Sequence, residues 1–241
     1  MKRILIASLA ACFIITGMLI IAPRPLQSAT LGIGAAGWYT WWEPKPETRA
    51  AEADPTIMYG PQLLLQFSPT MSISSVFLYG KFDYYGFENG SPYQMDITRY
   101  DSDTTLTYSL NSYMRLFGGL KFMGYDYEYG DHYGAGPGLG VGFILPFGGN
   151  FFGSLSLSVL YLWGEQTDES SSGEVTMKFR EFGANCSAAL IYMIPSSSVS
   201  LSLGGRYFYF QFETTDSEYS EQKEKHHFYG VTASAMYMIS L

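Results

Sequence analysis

The 241-residue sequence predicts an all-β fold, an up-and-down antiparallel transmembrane β-barrel of ten strands. The first observation behind this is a period of two. Leu155, Leu157, Val159, Tyr161 and Trp163 alternate with Ser154, Ser156 and Ser158, and Leu201 and Leu203 alternate with Ser200, Ser202 and Gly204. A strand places such alternate residues on opposite faces. The second observation is length. Alternating runs fall near 30–42, 56–68, 71–86, 94–110, 113–128, 134–147, 150–166, 174–193, 198–214 and 226–241. Soluble strands usually have about 5–6 residues, and a tilted strand needs about 9–11 to cross a bilayer. The third observation is how the runs are joined. Short uncharged connections at 68–70, 111–112, 146–150 and 195–198 alternate with longer acidic ones at 43–55, 86–93, 129–133, 167–173 and 215–225. Short turns at one end and polar loops at the other mark a membrane barrel. With ten strands both termini fall at the short-turn end, which is then periplasmic, and the acidic loops face outwards.

Composition agrees. Aromatic residues make up 17% of the chain and charged residues only 15%, against about 25% charged in ordinary soluble domains. A lipid-facing surface rimmed by aromatic girdles accounts for both values. Trp38, Tyr39, Trp41, Trp42, Tyr84, Tyr85, Tyr125, Tyr127, Trp163 and Tyr207 to Phe210 lie towards the loop ends, and are expected to form such a belt.

The N-terminus sets the compartment. Lys2 and Arg3 precede an apolar run of 19 residues, Ile4 to Ala22, which Pro23 ends. Gln27, Ser28 and Ala29 supply small residues for cleavage, so residues 1–29 read as a secretory signal peptide and 30–241 as the barrel domain. An uncleaved anchor and a lipoprotein box at Leu9–Cys12 are the alternatives. Cleavage leaves one cysteine, Cys186, and 11 basic against 22 acidic residues. Such an acidic chain is a poor nucleic-acid binder.

On these residues the mature chain resembles the small outer-membrane barrel proteins of Gram-negative bacteria. The last strand, Tyr229 to Leu241, is similar to the terminal assembly signal of that class, with apolar or aromatic residues at every second place. The class usually ends in Phe, whereas this chain ends in Leu241. The resemblance implies residence in outer-membrane lipid and assembly by the barrel-assembly machinery.

Charges inside the strands mark the candidate site. Arg99, Asp101 and Asp103 share one face of their strand, Arg115 and Lys121 share a face of the next, and Lys81 and Asp83 share a face of the preceding one. A cation on the lipid side near the midplane costs about 2–4 kcal/mol. All seven are therefore expected to point into the lumen and pair across strands, joined by Glu181 and Arg206. Such a network either plugs the lumen or forms a charged constriction. About eight strands leave just room for side chains and 16 or more leave a channel, so ten lies near the closed end.

Catalytic motifs are sparse. Omptin-type proteases use an Asp pair and an Asp–His pair at the outer rim. Asp101 and Asp103 have a suitable spacing, but Asp131 and His132 are adjacent and must diverge. His132, His226 and His227 are expected at solvated loop ends. The glycines at 134, 136, 138, 140 and 142 lack the Lys-Ser/Thr of a phosphate loop and read as one strand face that leaves room for bulky lumen groups. No cofactor or metal is expected. The leading expectation is a non-enzymatic outer-membrane protein with a largely filled lumen and a structural or surface-interaction role through acidic loops. A narrow porin-like channel is second and a rim hydrolase third.

Overall fold

The computed structural model describes residues 29–46, 51–88, 91–170, 173–215 and 223–241. The expected signal peptide, apart from Ala29, and parts of the outer loops lie outside the described residues. The strands are β1 (Thr30–Pro46), β2 (Ala51–Ala53), β3 (Thr56–Gln66), β4 (Met71–Glu88), β5 (Ser91–Ser109), β6 (Met114–Tyr127), β7 (Gly130–Gly148), β8 (Phe151–Ser170), β9 (Gly173–Ile194), β10 (Val199–Thr214) and β11 (Lys223–Ser240). Ten of them pair in sequence order as antiparallel neighbours, and β2 is a short piece paired with the outer end of β4. The ladder between β1 and β11 runs from Thr30–Ser240 to Pro46–Glu224 and closes the barrel. The Leu241 amide donates to the Ala29 carbonyl at 2.8 Å, so the described ends meet at one rim. Closure leaves no unpaired edge to face hydrocarbon.

Tight turns hold that rim. The Asn111 side-chain oxygen accepts the amides of Tyr113 at 2.8 Å and Met114 at 2.9 Å, the local bonding that favours Asn in turns. The turn between β7 and β8 uses Gly148 and Gly149 at φ of 96° and 57°, which only glycine adopts without strain. At the opposite rim the strands outrun the predicted loops. Residues 130–133 belong to β7, and only Glu128 and Tyr129 join it to β6. Beyond the lipid the outer strand face meets water, so acidic residues there do not stop the ladder.

The outer wall carries an apolar band. Leu120, Leu139, Val159 and Leu203 are exposed, Leu139 by 68%. Exposed apolar residues on this scale fit lipid rather than water. No helix among the described residues is long and apolar enough to cross a membrane, so the crossing elements are the strands. The core lies inside the barrel around Trp38, Met58, Phe82, Phe208 and Phe228. The β7 glycines face this interior. A Cβ at Gly140 would run into the Phe117 ring, so the bare strand face is the space that ring fills.

Candidate functional site: a sealed lumen with an outer cup

The inner wall changes character along the barrel. Near the periplasmic rim the inward residues are small and polar. Ser156 and Ser187 share a hydrogen bond of 2.7 Å across β8 and β9. A cavity of 190 Å³ follows, lined in part by Asp103, Thr105, Lys121, Ser158 and Asn185. Thr105 donates to Asp103 at 3.1 Å, and Arg206 Nε donates to Asn185 at 2.9 Å.

At mid-height the lumen is crossed by a packed layer. Arg99 is fully buried, and its Nη2 lies 3.2 Å from Asp101. Lys121 Nζ lies 3.6 Å from the other oxygen of Asp101. The cations also sit on rings. Arg99 lies 3.7 Å from the centroid of Phe228, Lys121 5.1 Å from that of Phe208, and Arg206 4.8 Å from that of Trp38. Ring faces and one carboxylate thus share the compensation of buried positive charge. The strand pattern puts these groups together. Arg99 and Asp101 are two apart on β5, and the Asp103–Lys121 register brings β6 alongside.

Above the layer the barrel opens into a cup of 380 Å³. Its floor is aromatic. Trp42 stacks on Phe228 at 5.3 Å and on Tyr125 at 5.7 Å, and Phe210 stacks on Phe228 at 5.6 Å. Its wall is polar and acidic. His132 Nε2 lies 3.1 Å from Glu181 Oε1, and its Nδ1 lies 3.4 Å from Gln166 Oε1. Gln166 Nε2 donates to Asp168 at 3.1 Å, and the Tyr127 hydroxyl donates to Asp168 at 2.6 Å. Burial and that bond push the Tyr127 hydroxyl far above the ordinary tyrosine range, so it remains a donor. On the other side Trp42 Nε1 donates to His226 Nδ1 at 3.2 Å, which leaves the proton of a neutral imidazole on Nε2, 3.5 Å from Glu224.

Six of the nine charges expected in the lumen meet at or beside the layer: Arg99, Asp101, Asp103, Lys121, Glu181 and Arg206. Three stand apart. Arg115 is on the inner face of β6 but lies exposed beside the periplasmic rim, level with Ser109 and Gly142. Lys81 and Asp83 face outwards and are exposed, a correction to their expected place. The opposite face of β4 supplies Leu78 and Phe82 to the core. Towards the outer end of a strand an outward cation costs only about 0–1 kcal/mol, so Lys81 is tolerated on the outer face. Asp101 lies at mid-lumen, beneath the cup, and not at the outer rim where an omptin-type pair would sit.

His132 and His226 are not solvated loop ends. Both lie on strands, inside, within the hydrogen-bond network of the cup. His227 points outwards to the Tyr207 hydroxyl at 2.7 Å. The aromatic belt divides in the same way. Tyr39, Trp163 and Tyr207 are on the outer surface, whereas Trp38, Trp42, Tyr125, Phe208 and Phe210 fill the lumen.

No family model matches the chain, and no curated protein matches it. Solved structures do. The outer-membrane protease OmpT from Escherichia coli superposes with a TM-score of 0.55 at 10% identity, over 88% of this chain and 97% of that one. The translocator domain of the autotransporter NalP from Neisseria meningitidis gives 0.47 at 10% identity, over 96% and 97%. OprG from Pseudomonas aeruginosa gives 0.46 at 13% identity, over 89% and 96%. At such identities the likeness is one of fold. The chain has the closed, ten-stranded fold of the small Gram-negative outer-membrane β-barrels.

Proposed function

We propose that this protein is a non-conducting, non-enzymatic outer-membrane barrel that meets the cell exterior through its outer cup and the acidic loops around it. A cleaved N-terminal signal exports it, and the barrel-assembly machinery inserts it. The observation that carries this reading is the buried layer of Trp38, Arg99, Asp101, Lys121, Phe208 and Phe228 across the lumen. Ion passage would require unpairing Arg99 and Lys121 from Asp101 and unstacking Arg99 from Phe228. The carboxylates spaced for hydrolysis are otherwise engaged, Asp101 by two cations and Asp103 by Thr105.

The second reading is a narrow channel. Its support is that the layer is flanked by the 380 Å³ cup on one side and the 190 Å³ cavity on the other. Single-channel recording in planar bilayers separates the two. The folded wild type is expected to be silent, and an Arg99→Ala/Phe228→Ala variant is expected to give current steps. Steady steps from the wild type would overturn the closed reading in favour of the channel.

A further inference from the structure

The cup has features that sealing the barrel does not require. Its volume of 380 Å³ falls in the range of about 300–1,000 Å³ typical of small-molecule sites. Rings form much of its surface, including Trp42, Tyr84, Tyr93, Tyr127 and Phe212. Among the described residues that line it, Asp168, Glu181 and Glu224 are acids and none is a lysine or arginine. Glu181 is fully buried. Its Oε1 meets His132, while its Oε2 has no hydrogen-bond partner among the described residues. A buried carboxylate oxygen without a donor is costly, and a ligand N–H would satisfy it.

We propose that the cup binds a small primary ammonium compound, with the ammonium on Glu181 and the carbon body against the rings. Positive charge over aromatic faces and a carboxylate acceptor are the two interactions that recognise such a group. The cations below do not oppose it. Arg99 is bound to Asp101 and stacked on Phe228, and neither Lys121 nor Arg206 lines the cup. Asp168, bonded to Tyr127 and Gln166, keeps further acceptor capacity towards the same space. The proposal rests on the reading of the cup as the outward-facing recess of a closed barrel.

The test is calorimetric titration of the refolded protein in a non-ionic maltoside detergent, which carries no ammonium group of its own. The probes are 2-phenylethylammonium, its neutral counterpart 2-phenylethanol and the anion 3-phenylpropionate. The ammonium compound is expected to bind about tenfold more tightly than the alcohol, and the anion not at all. Glu181→Gln is expected to weaken the ammonium compound by about tenfold while leaving the alcohol unchanged. Asp168→Asn, nearer the rim, provides a second variant should Glu181→Gln fail to fold, and is expected to weaken binding less. Heat-modifiable gel migration reports folding of every variant. Equal binding of alcohol and ammonium compound, wild-type affinity in both variants, or no binding by the folded wild type would each overturn the proposal. Conductance of the same preparation keeps the two readings apart. A silent barrel without ammonium binding overturns this proposal alone, and a conducting barrel that binds at Glu181 overturns only the closed reading.

Discussion

Below the ion-paired layer the inward side chains include Ser154, Ser156, Ser158, Ser200 and Ser202; above it they include Trp42, Tyr84, Tyr125, Phe210 and Phe212. The strands are the same ones and keep the same two-residue alternation through both halves. What differs is the work each half must do. The periplasmic half needs only a polar inner face opposite its lipid-facing leucines. The outer half must also fill the lumen, so it places large apolar groups on both faces at once. A rule that sends apolar residues outwards therefore holds in one half and fails in the other.

Substitutions test how differently the two halves are held together. The largest effect is expected at Asp101. Asp101→Ala leaves Arg99 and Lys121 buried without their shared carboxylate, a loss of about 3–5 kcal/mol in the urea unfolding midpoint of barrels in lipid vesicles. A loss below about 1 kcal/mol would show that the rings alone compensate those cations, because that is what an ordinary hydrogen bond contributes. Next is Gly140→Val, which drives new carbon into the Phe117 ring and is expected to cost about 1–3 kcal/mol. Gly37→Ala is its control, since an added Cβ there meets nothing nearer than 3.9 Å and should leave the midpoint in place. In the periplasmic half, Ser156→Ala removes a single hydrogen bond to Ser187 and is expected to cost only about 0.5–1.5 kcal/mol.

The smallest effect concerns the outer surface. Arg180 bonds Glu213 at 2.7 Å near the outer end of β10, and this bond holds the Glu213 carboxyl below the usual glutamate range. A carboxyl whose folded value is lowered contributes stability above its unfolded value and loses it as pH falls through the folded one. The pair is solvent-exposed, so the contribution is small and screened by salt. Thermal unfolding at neutral pH and near pH ~3.5, below the ordinary Glu value of about 4.3, should show a slightly smaller acid loss in Arg180→Ala than in wild type. An unchanged acid loss would remove Glu213 from the account.

Residue order carries the strands but not always the direction in which their faces point. The ten strands follow from alternation alone, because period and length do not depend on which face is inside. The inner charges on β5 and β6 were legible because a cation at the midplane has nowhere else to go. Lys81, Trp42 and His226 were not, because alternation says which residues share a face without saying which way it points. A usable signal was present. On β4 the small residues Ser72 and Ser74 share a face with Leu78 and Phe82, and on β11 Thr232 and Ser234 share one with Phe228 and His226. Following the small polar face upwards assigns the inside where hydrophobicity misassigns it. Residues 130–133 of β7 and 167–170 of β8 read as loops in the sequence because acidic residues there interrupt the apolar pattern without interrupting the backbone ladder.

Closure has a kinetic consequence. Nine of the ten ladders that close the barrel join strands close in sequence, whereas the seam pairs Thr30 with Ser240. Bringing such distant segments together from an unfolded chain carries a loop entropy on the order of 5 kcal/mol, and non-local pairing of this kind slows folding. The seam should therefore form last, after the hairpins. Until it forms, β1 and β11 are both sticky edges, open to each other or to a second unfinished copy. A chain of this design is most vulnerable during the interval before its first and last strands meet.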